Sequence, residues 1–205
     1  MTDFSIEKKF IGPVIGLDEV GRGPLAGPVI SCGCLFKKYI KLDHKIKDSK
    51  KLTKIQRLKL FQYFCKLKNE KILDFHLGIA SVEEIDKLNI LEATKLSMKR
   101  VIDKFNILNP NIIIDGNFLL NYNNVIEKSV INGDQLSISI ATASIIAKVH
   151  RDRLMSILSK KFDKFSWQTN AGYGTKKHIE EIKKNGPSLY HRKTFEPIKS
   201  LLLKD

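Results

Sequence analysis

A chain of 205 residues with 42% hydrophobic and 28% charged content can bury a proper core, which excludes a disordered or fibrous protein. Its 36 Lys and Arg against 22 Asp and Glu leave a net charge of +14, which favours a polyanionic partner: nucleic acid first, an anionic membrane surface second. No apolar run approaches the ~20 residues of a membrane span, and Met1-Thr2-Asp3-Phe4-Ser5 lacks the plan of a signal peptide. Cys32, Cys34 and Cys65 form no C-x-x-C pair and read as free thiols, with Cys32 and Cys34 buried on one strand face. A cytoplasmic location with no membrane partner is expected.

In chain order, the apolar run Val14-Ile15-Gly16-Leu17 delivers Asp18-Glu19, and a Gly/Pro-rich loop leads into a second apolar run, Val29 to Phe36. The pattern predicts strand, functional loop, strand. Gly21, Gly23 and Gly27 permit positive φ and close backbone approach, while Pro24 and Pro28 stiffen the path. Such a loop can aim N–H groups and the Arg22 guanidinium at an anion. A basic connector from Lys37 to Lys51 ends in Asp48-Ser49-Lys50-Lys51-Leu52, and Thr53 with Gln56 then forms a capping box. In that helix Leu58, Phe61, Phe64, Cys65 and Leu67 form the apolar side, leaving Lys54, Arg57, Lys59 and Lys66 wet.

Leu73, Phe75, Leu77 and Ile79 alternate as a strand, with His76 on the other, surface-facing phase. Two helix starts follow, Ser81 with Glu84 and Asn89 with Glu92, the second helix carrying a core stripe of Leu91, Thr94, Met98, Val101, Ile102 and Phe105. Ile112-Ile113-Ile114-Asp115 reads as a central strand buried on both faces and ending in an acid. After Asn132-Gly133-Asp134, residues 136–162 form one long helical stretch, apolar all round in its first half and polar from Lys148 to Arg153. The tail holds Ala171-Gly172-Tyr173-Gly174-Thr175, a helix over 176–184, and His191-Arg192-Lys193-Thr194-Phe195. No repeat, linker or second domain interrupts residues 1–205, and the last portion, roughly 163–205, is helical.

Four acids stand where structure alone gives them little purpose: Asp18, Glu19, Asp115 and Asp134. Asp18 and Asp115 each close an apolar strand, and neighbouring strand ends converge at one edge of a sheet. Carboxylates so placed repel and raise one another's pKa unless a cation intervenes. Hard oxygen donors without organised Cys or His point to Mg²⁺ or Mn²⁺ rather than zinc. Strand alternation sends Asp18 and Glu19 to opposite sides, so the strand must end or twist there for both to reach one ion.

The pieces Asp-Glu-x-Gly-Arg-Gly-Pro-Leu-Ala-Gly-Pro-Val, Asp-Ser-Lys, Ile-Asp-Gly, Gly-Asp, Ala-Ser-Ile-Ile-Ala-Lys-Val, Gly-Tyr-Gly-Thr and His-Arg-x-x-Phe occur in that order from about Val14 to Pro197. Together they closely resemble bacterial ribonuclease HII. The resemblance implies an α/β ribonuclease H-like fold: a central mixed β-sheet flanked by helices, with a helical C-terminal portion. It implies a divalent-metal-dependent endoribonuclease that cuts the RNA strand of RNA–DNA hybrids and cuts 5′ to ribonucleotides embedded in duplex DNA. The ends left are 5′-phosphate and 3′-hydroxyl. It also implies Asp18, Glu19, Asp115 and Asp134 as catalytic, metal-binding acids for Mg²⁺ or Mn²⁺. Lys50 is implied as a phosphate contact, and Gly21, Arg22, Gly23 and Tyr173 as readers of the RNA–DNA junction. An aromatic ring can stack on a sugar that lacks the 2′-OH, which is what separates DNA from RNA. A monomer is expected.

Two positions depart from the family pattern: Asn132 stands where lysine is common, and Thr142 where alanine is usual. Ribonuclease HIII is the nearest enzyme alternative, although that family typically adds an N-terminal substrate-binding domain and little chain precedes Val14. A non-catalytic nucleic-acid binder would satisfy the charge, but bare carboxylates repel the phosphates a pure binder wants. The absence of Gly-Lys-Ser/Thr after the first strand excludes a P-loop hydrolase.

Overall fold

The computed structural model describes residues 2–42, 46, 49 and 52–203. Lys50, with Asp48 and Lys51 beside it, lies outside them.

The sheet has five strands in the order β3-β2-β1-β4-β5, where β1 is Val14–Val20, β2 Val29–Phe36, β3 Leu73–Ala80, β4 Asn111–Asp115 and β5 Glu127–Val130. β1, β2 and β3 pair antiparallel; β4 and β5 continue parallel to β1, so the sheet is mixed. The helices are α1 (Lys54–Asn69), α2 (Val82–Leu88), α3 (Ile90–Ile102), α4 (Gly133–Leu136), α5 (Ile138–Lys161), α6 (Trp167–Asn170), α7 (Lys176–Asn185) and α8 (Ile198–Leu202).

Alternation assigns the faces. Cys32, Cys34 and Phe36 of β2 turn towards α1 and α5 and pack with Leu60, Phe64, Ala143 and Ala147. The two thiols are buried, their sulfurs 4.0 Å apart. Ile15 and Leu17 of β1 turn the other way, onto Met98, Val101 and Ile102 of α3. The small, apolar first half of α5 has its reason here. A Cβ at Gly16 would lie 2.7 Å from the Ile140 backbone nitrogen, so helix and strand touch nearly backbone to backbone. Both capping boxes are present, Thr53 with Gln56 and Ser81 with Glu84.

Two expectations are corrected. Arg57 is not on a wet face: its guanidinium donates to the carbonyls of Ser49 (3.2 Å) and Leu52 (2.6 Å) and meets Asp152 at 3.2 Å, while Leu60 joins the buried side. Ile79 is 48% exposed, although it shares the phase of Leu73, Phe75 and Leu77. That end of β3 buries its opposite phase instead, at Gly78 and Ala80, because Gly78 is pressed against α3.

A Cβ on Gly78 would sit 1.9 Å from the Ser97 carbonyl oxygen and 2.9 Å from Val101. A backbone oxygen cannot step aside as a flexible side chain can. Gly78→Ala is therefore expected to cost about 3 kcal/mol, which lowers the melting temperature of a chain this size by roughly 6–12 °C. Thermal unfolding checks it; an unchanged midpoint would mean that β3 and α3 do not approach so closely.

Candidate active site

β1 and β4 run parallel with Leu17 opposite Ile114, so Asp18 and Asp115 fall side by side one step further on, at the carboxyl edge of the sheet. Asp18 is 5% exposed and directed to the α5 face. Burial pushes its carboxyl well above the usual carboxylate range, and the negative charges of Glu19 and Asp115 push in the same direction. The Ser144 hydroxyl of α5 hydrogen-bonds to it and opposes the shift. Ser144 in turn lies 2.8 Å from the buried Ser49 hydroxyl. The Asp-Ser-Lys motif is thus tied to the acidic edge through its serine.

The third acid arrives from β5. The chain leaves that strand, turns at Asn132 in the left-handed region (φ 55°, ψ 39°) and starts α4 at Gly133, with Asp134 buried as its second residue. Asparagine tolerates this conformation better than lysine does, which accounts locally for the residue found at 132. The Gly133 N–H donates to Asp115 Oδ1 at 2.7 Å and so locks the turn carrying Asp134 onto the end of β4.

Glu19 stays on the opposite strand phase from Asp18. β1 keeps regular pairing with β2 through Glu19 opposite Ser31 and Val20 opposite Ile30, with no bulge. On its other side β4 has ended at Asp115, and Gly116 (φ +110°) turns the chain away. The end of β1 is thereby open on the β4 side, and Glu19 lies at that opening. Its Oε1 meets the half-exposed Arg22 guanidinium at 3.5 Å. Arg22 also lies 5.7 Å from the Phe118 ring, in the loop after β4.

The loop between β1 and β2 is organised from far along the chain. Arg192, fully buried, donates from Nε and Nη2 to the Gly27 carbonyl (3.0 and 2.8 Å), from Nη1 to that of Arg22 (2.8 Å), and from Nη2 to that of Gly21. Arg151 donates to the carbonyls of Ala26 (3.0 Å) and Pro28. Burial holds both guanidinium groups below their ordinary pKa, Arg151 at about 10 and Arg192 at about 9, the latter pushed further by Arg151. Arg151 is a correction, because it lies within the polar second half of α5 yet is 1% exposed. Its signal was legible: Ala147, Arg151 and Met155, four apart, share one buried helix face.

Tyr173 is 45% exposed, and its ring edge lies 3.8 Å from where a Cβ of Gly23 would be. The predicted junction residues are therefore neighbours. The glycines play different parts from those expected. Gly21 and Gly27 adopt positive φ (+98° and +84°), whereas Gly23 does not and instead leaves space beside the Tyr173 ring. Gly172 and Gly174 seat the tyrosine's segment against Ala26 and Leu25, whose N–H groups both bond to the Gly172 carbonyl (3.3 and 2.8 Å).

Asp18 and Asp115 thus lie side by side at the carboxyl edge of the sheet, and the Gly133–Asp115 bond ties the turn that carries Asp134 to them; Glu19, on the other strand phase, pairs with Arg22, and the adjoining Gly23 faces Tyr173. Among the described residues, no three His, Cys, Asp or Glu side chains already converge as a ready metal cage. The candidate donors are nonetheless all oxygen; burial first, and then the charges of Glu19 and Asp115, raise Asp18, and a hard divalent cation would relieve the repulsive part of that shift. In that sense the acids fit Mg²⁺ or Mn²⁺. No helix among the described residues is long and apolar enough to cross a membrane.

A mixed sheet of this order with helices on both faces defines a protein of the ribonuclease H-like class. The sequence profile of Ribonuclease HII matches residues 15–197. The Ribonuclease HII of Wolbachia pipientis subsp. Culex pipiens (strain wPip) is 48% identical, the alignment covering 97% of this chain and 98% of that protein. That of Ehrlichia chaffeensis (strain ATCC CRL-10679 / Arkansas) is 43% identical over 96% and 95% of the two chains. The crystal structure of the ribonuclease H2 from Pyrococcus horikoshii OT3 superposes with a TM-score of 0.75 at 27% identity, covering 94% of this chain and 98% of that one. Bst-RNase HIII in complex with Mn²⁺ shares the fold (TM-score 0.68, 18% identity), with 94% of this chain covering 70% of that one. The chain belongs to the ribonuclease HII family and is a nuclease with ribonuclease H activity.

Proposed function

We propose that this nuclease cleaves both the RNA strand of RNA–DNA hybrids and duplex DNA containing single ribonucleotides. In the latter it cuts on the 5′ side of the ribonucleotide and leaves 5′-phosphate and 3′-hydroxyl ends. The observation that carries the reading is the seating of Tyr173 against Gly23, beside the acids at the carboxyl edge of β1 and β4. Phosphate contacts carry no information about the sugar, so finding one 2′-OH in a DNA duplex needs close backbone groups on one side and a surface that excludes a second hydroxyl on the other. The Gly21-Arg22-Gly23 backbone supplies the first and the exposed Tyr173 ring the second.

Asp18, Glu19, Asp115 and Asp134 would hold Mg²⁺ or Mn²⁺, and Bst-RNase HIII, which shares the fold, is described in complex with Mn²⁺. Bound in a pair, such ions would activate the attacking water and stabilise the leaving 3′ oxygen. The chain's own part is orientation. Ser144 fixes Asp18, the Gly133 N–H fixes Asp115, and Arg22, poised over Glu19, positions the phosphate. Lys50, immediately after the buried Ser49, is assigned a second phosphate. The protein is read as a cytoplasmic monomer.

The test is a duplex with one embedded ribonucleotide, incubated with Mg²⁺ or Mn²⁺ and with chelator. Metal-dependent cleavage 5′ to the ribonucleotide is expected. Activity confined to continuous hybrids, or undiminished in chelator, would overturn the reading.

A further inference from the structure

Tyr173 is exposed, yet its backbone is held with unusual care. Its N–H donates to the Asn170 carbonyl at 2.9 Å, and its carbonyl receives the Thr175 N–H at 2.8 Å together with a ring nitrogen of His178, also at 2.8 Å. His178 lies in the first turn of α7 and is wholly buried, as are His191 and Trp167 to within 1%. Donor-only groups settle the protons of both histidines.

An indole N–H can only donate, and Trp167 Nε1 points at His178 Nε2 at 2.9 Å; that nitrogen must therefore be bare. The proton of His178 then sits on Nδ1 and is directed at the Tyr173 carbonyl. A backbone N–H can likewise only donate, and that of Ser188 meets His191 Nδ1 at 2.8 Å. His191 therefore carries its proton on Nε2, aimed at the same His178 Nε2 at 3.1 Å. The result is a directed chain: Ser188 to His191 to His178 to the Tyr173 carbonyl, with Trp167 donating from the side. Burial keeps both imidazoles neutral at pH 7, His191 down at about 4 with His178 adding to the push.

The chain is also attached to the loop that Tyr173 faces. His191 forms a β-bridge with Ala26, and Arg192, the next residue, takes the carbonyls of Gly21, Arg22 and Gly27. One pair of neighbours, His191-Arg192, thus registers both partners of the junction against each other. Neither histidine lies among the acids, and their burial leaves them no direct contact with a substrate.

We propose that His178, fixed in its Nδ1–H tautomer by Trp167 and His191, is a positioning residue that sets Tyr173 against the Gly21-Arg22-Gly23 backbone and thereby sets discrimination for a single embedded ribonucleotide. The proposal rests on the reading of Tyr173 given above. Two substitutions divide the functions of the ring. His178→Asn keeps an amide N–H where Nδ1 stands but loses the acceptor for Trp167. His178→Gln keeps a polar group where Nε2 stands but loses the donor to Tyr173.

The measured quantity is the ratio of kcat/KM on a single embedded ribonucleotide to kcat/KM on a continuous hybrid, with melting temperatures alongside. Expected is a fall of about tenfold in the ratio for His178→Gln, and a ratio within about twofold of wild type for His178→Asn. The double variant His178→Gln/Tyr173→Ala should be no worse than Tyr173→Ala, because both act through one ring. If Tyr173→Ala lowers the ratio and His178→Gln does not, His178 is only a core residue and the proposal fails alone. If Tyr173→Ala leaves the ratio unchanged, the reading of Tyr173 fails and takes the proposal with it. Histidine ¹⁵N spectra of the unaltered protein give a check independent of any variant's folding: an Nε2–H tautomer at His178 would overturn the proposal.

Discussion

Asp115→Asn is expected to lower cleavage by three orders of magnitude or more, about 4 kcal/mol in the barrier, while substrate binding stays equal or becomes tighter. The structure makes the substitution clean. Asp115 uses Oδ1 to accept the Gly133 N–H at 2.7 Å, and an asparagine oxygen can accept the same bond, so the turn carrying Asp134 stays in place. On the proposed reading, what would disappear is one anionic donor for the divalent ion and one negative charge facing phosphate. The charge on Asp115 also contributes to raising Asp18, so its loss makes Asp18 easier to ionise rather than disturbing it. Single-turnover cleavage in saturating Mg²⁺, with binding measured in Ca²⁺, separates the two effects. Near-normal turnover would remove Asp115 from the catalytic set; weakened binding with a lowered melting temperature would make it structural.

The second large effect is expected at Arg192, which no phosphate needs to touch. Its guanidinium serves the carbonyls of Gly21, Arg22 and Gly27, and among the described residues no carboxylate bonds to it. Hydrogen bonds from a charged donor contribute roughly 1.5–3 kcal/mol each, offset by relief of a buried charge that lies near Arg151. Arg192→Met is therefore expected to destabilise by about 3 kcal/mol net and to lower cleavage about 100-fold, because the loop that carries Arg22 loses its anchor. Arg192→Lys should not rescue, since one ammonium cannot reach carbonyls arranged for a planar fork. Melting temperature and kcat/KM measured together are decisive, and a Lys variant with full activity would show that charge alone suffices.

How far these residues were legible in the sequence varies with the range of the interaction. The capping boxes at Thr53 and Ser81 involve partners three residues apart, and both are present as read. β4 is buried along Asn111–Ile114, as its unbroken run of isoleucines indicated, because it lies between β1 and β5. Arg57 defeated the same reasoning, and the burial of Arg151 was missed although its spacing from Ala147 and Met155 carried the signal. A charged side chain in a helix reads as solvated unless its partners are known, and those partners are carbonyls on other elements.

The sequence by itself determined the strand–loop–strand unit of β1 and β2, the long helix α5 with its buried first half, the acid closing β4, and family membership through motifs in order; Asp18, also expected to close its strand, is instead followed by two more paired residues of β1. Each rests on local chemistry: alternation, turn residues, caps and short spacings. Only the tertiary structure decided which of these pieces meet. It put Asp18 beside Asp115 by parallel pairing of strands nearly 100 residues apart. It left Glu19 on its own strand phase at an edge opened by the end of β4. It joined the loop at Arg22 to Arg192 and Tyr173 to His178. The physical reason is that a buried donor takes whatever acceptor the packed chain brings to it. No period along the sequence encodes a hydrogen bond between residues 170 positions apart.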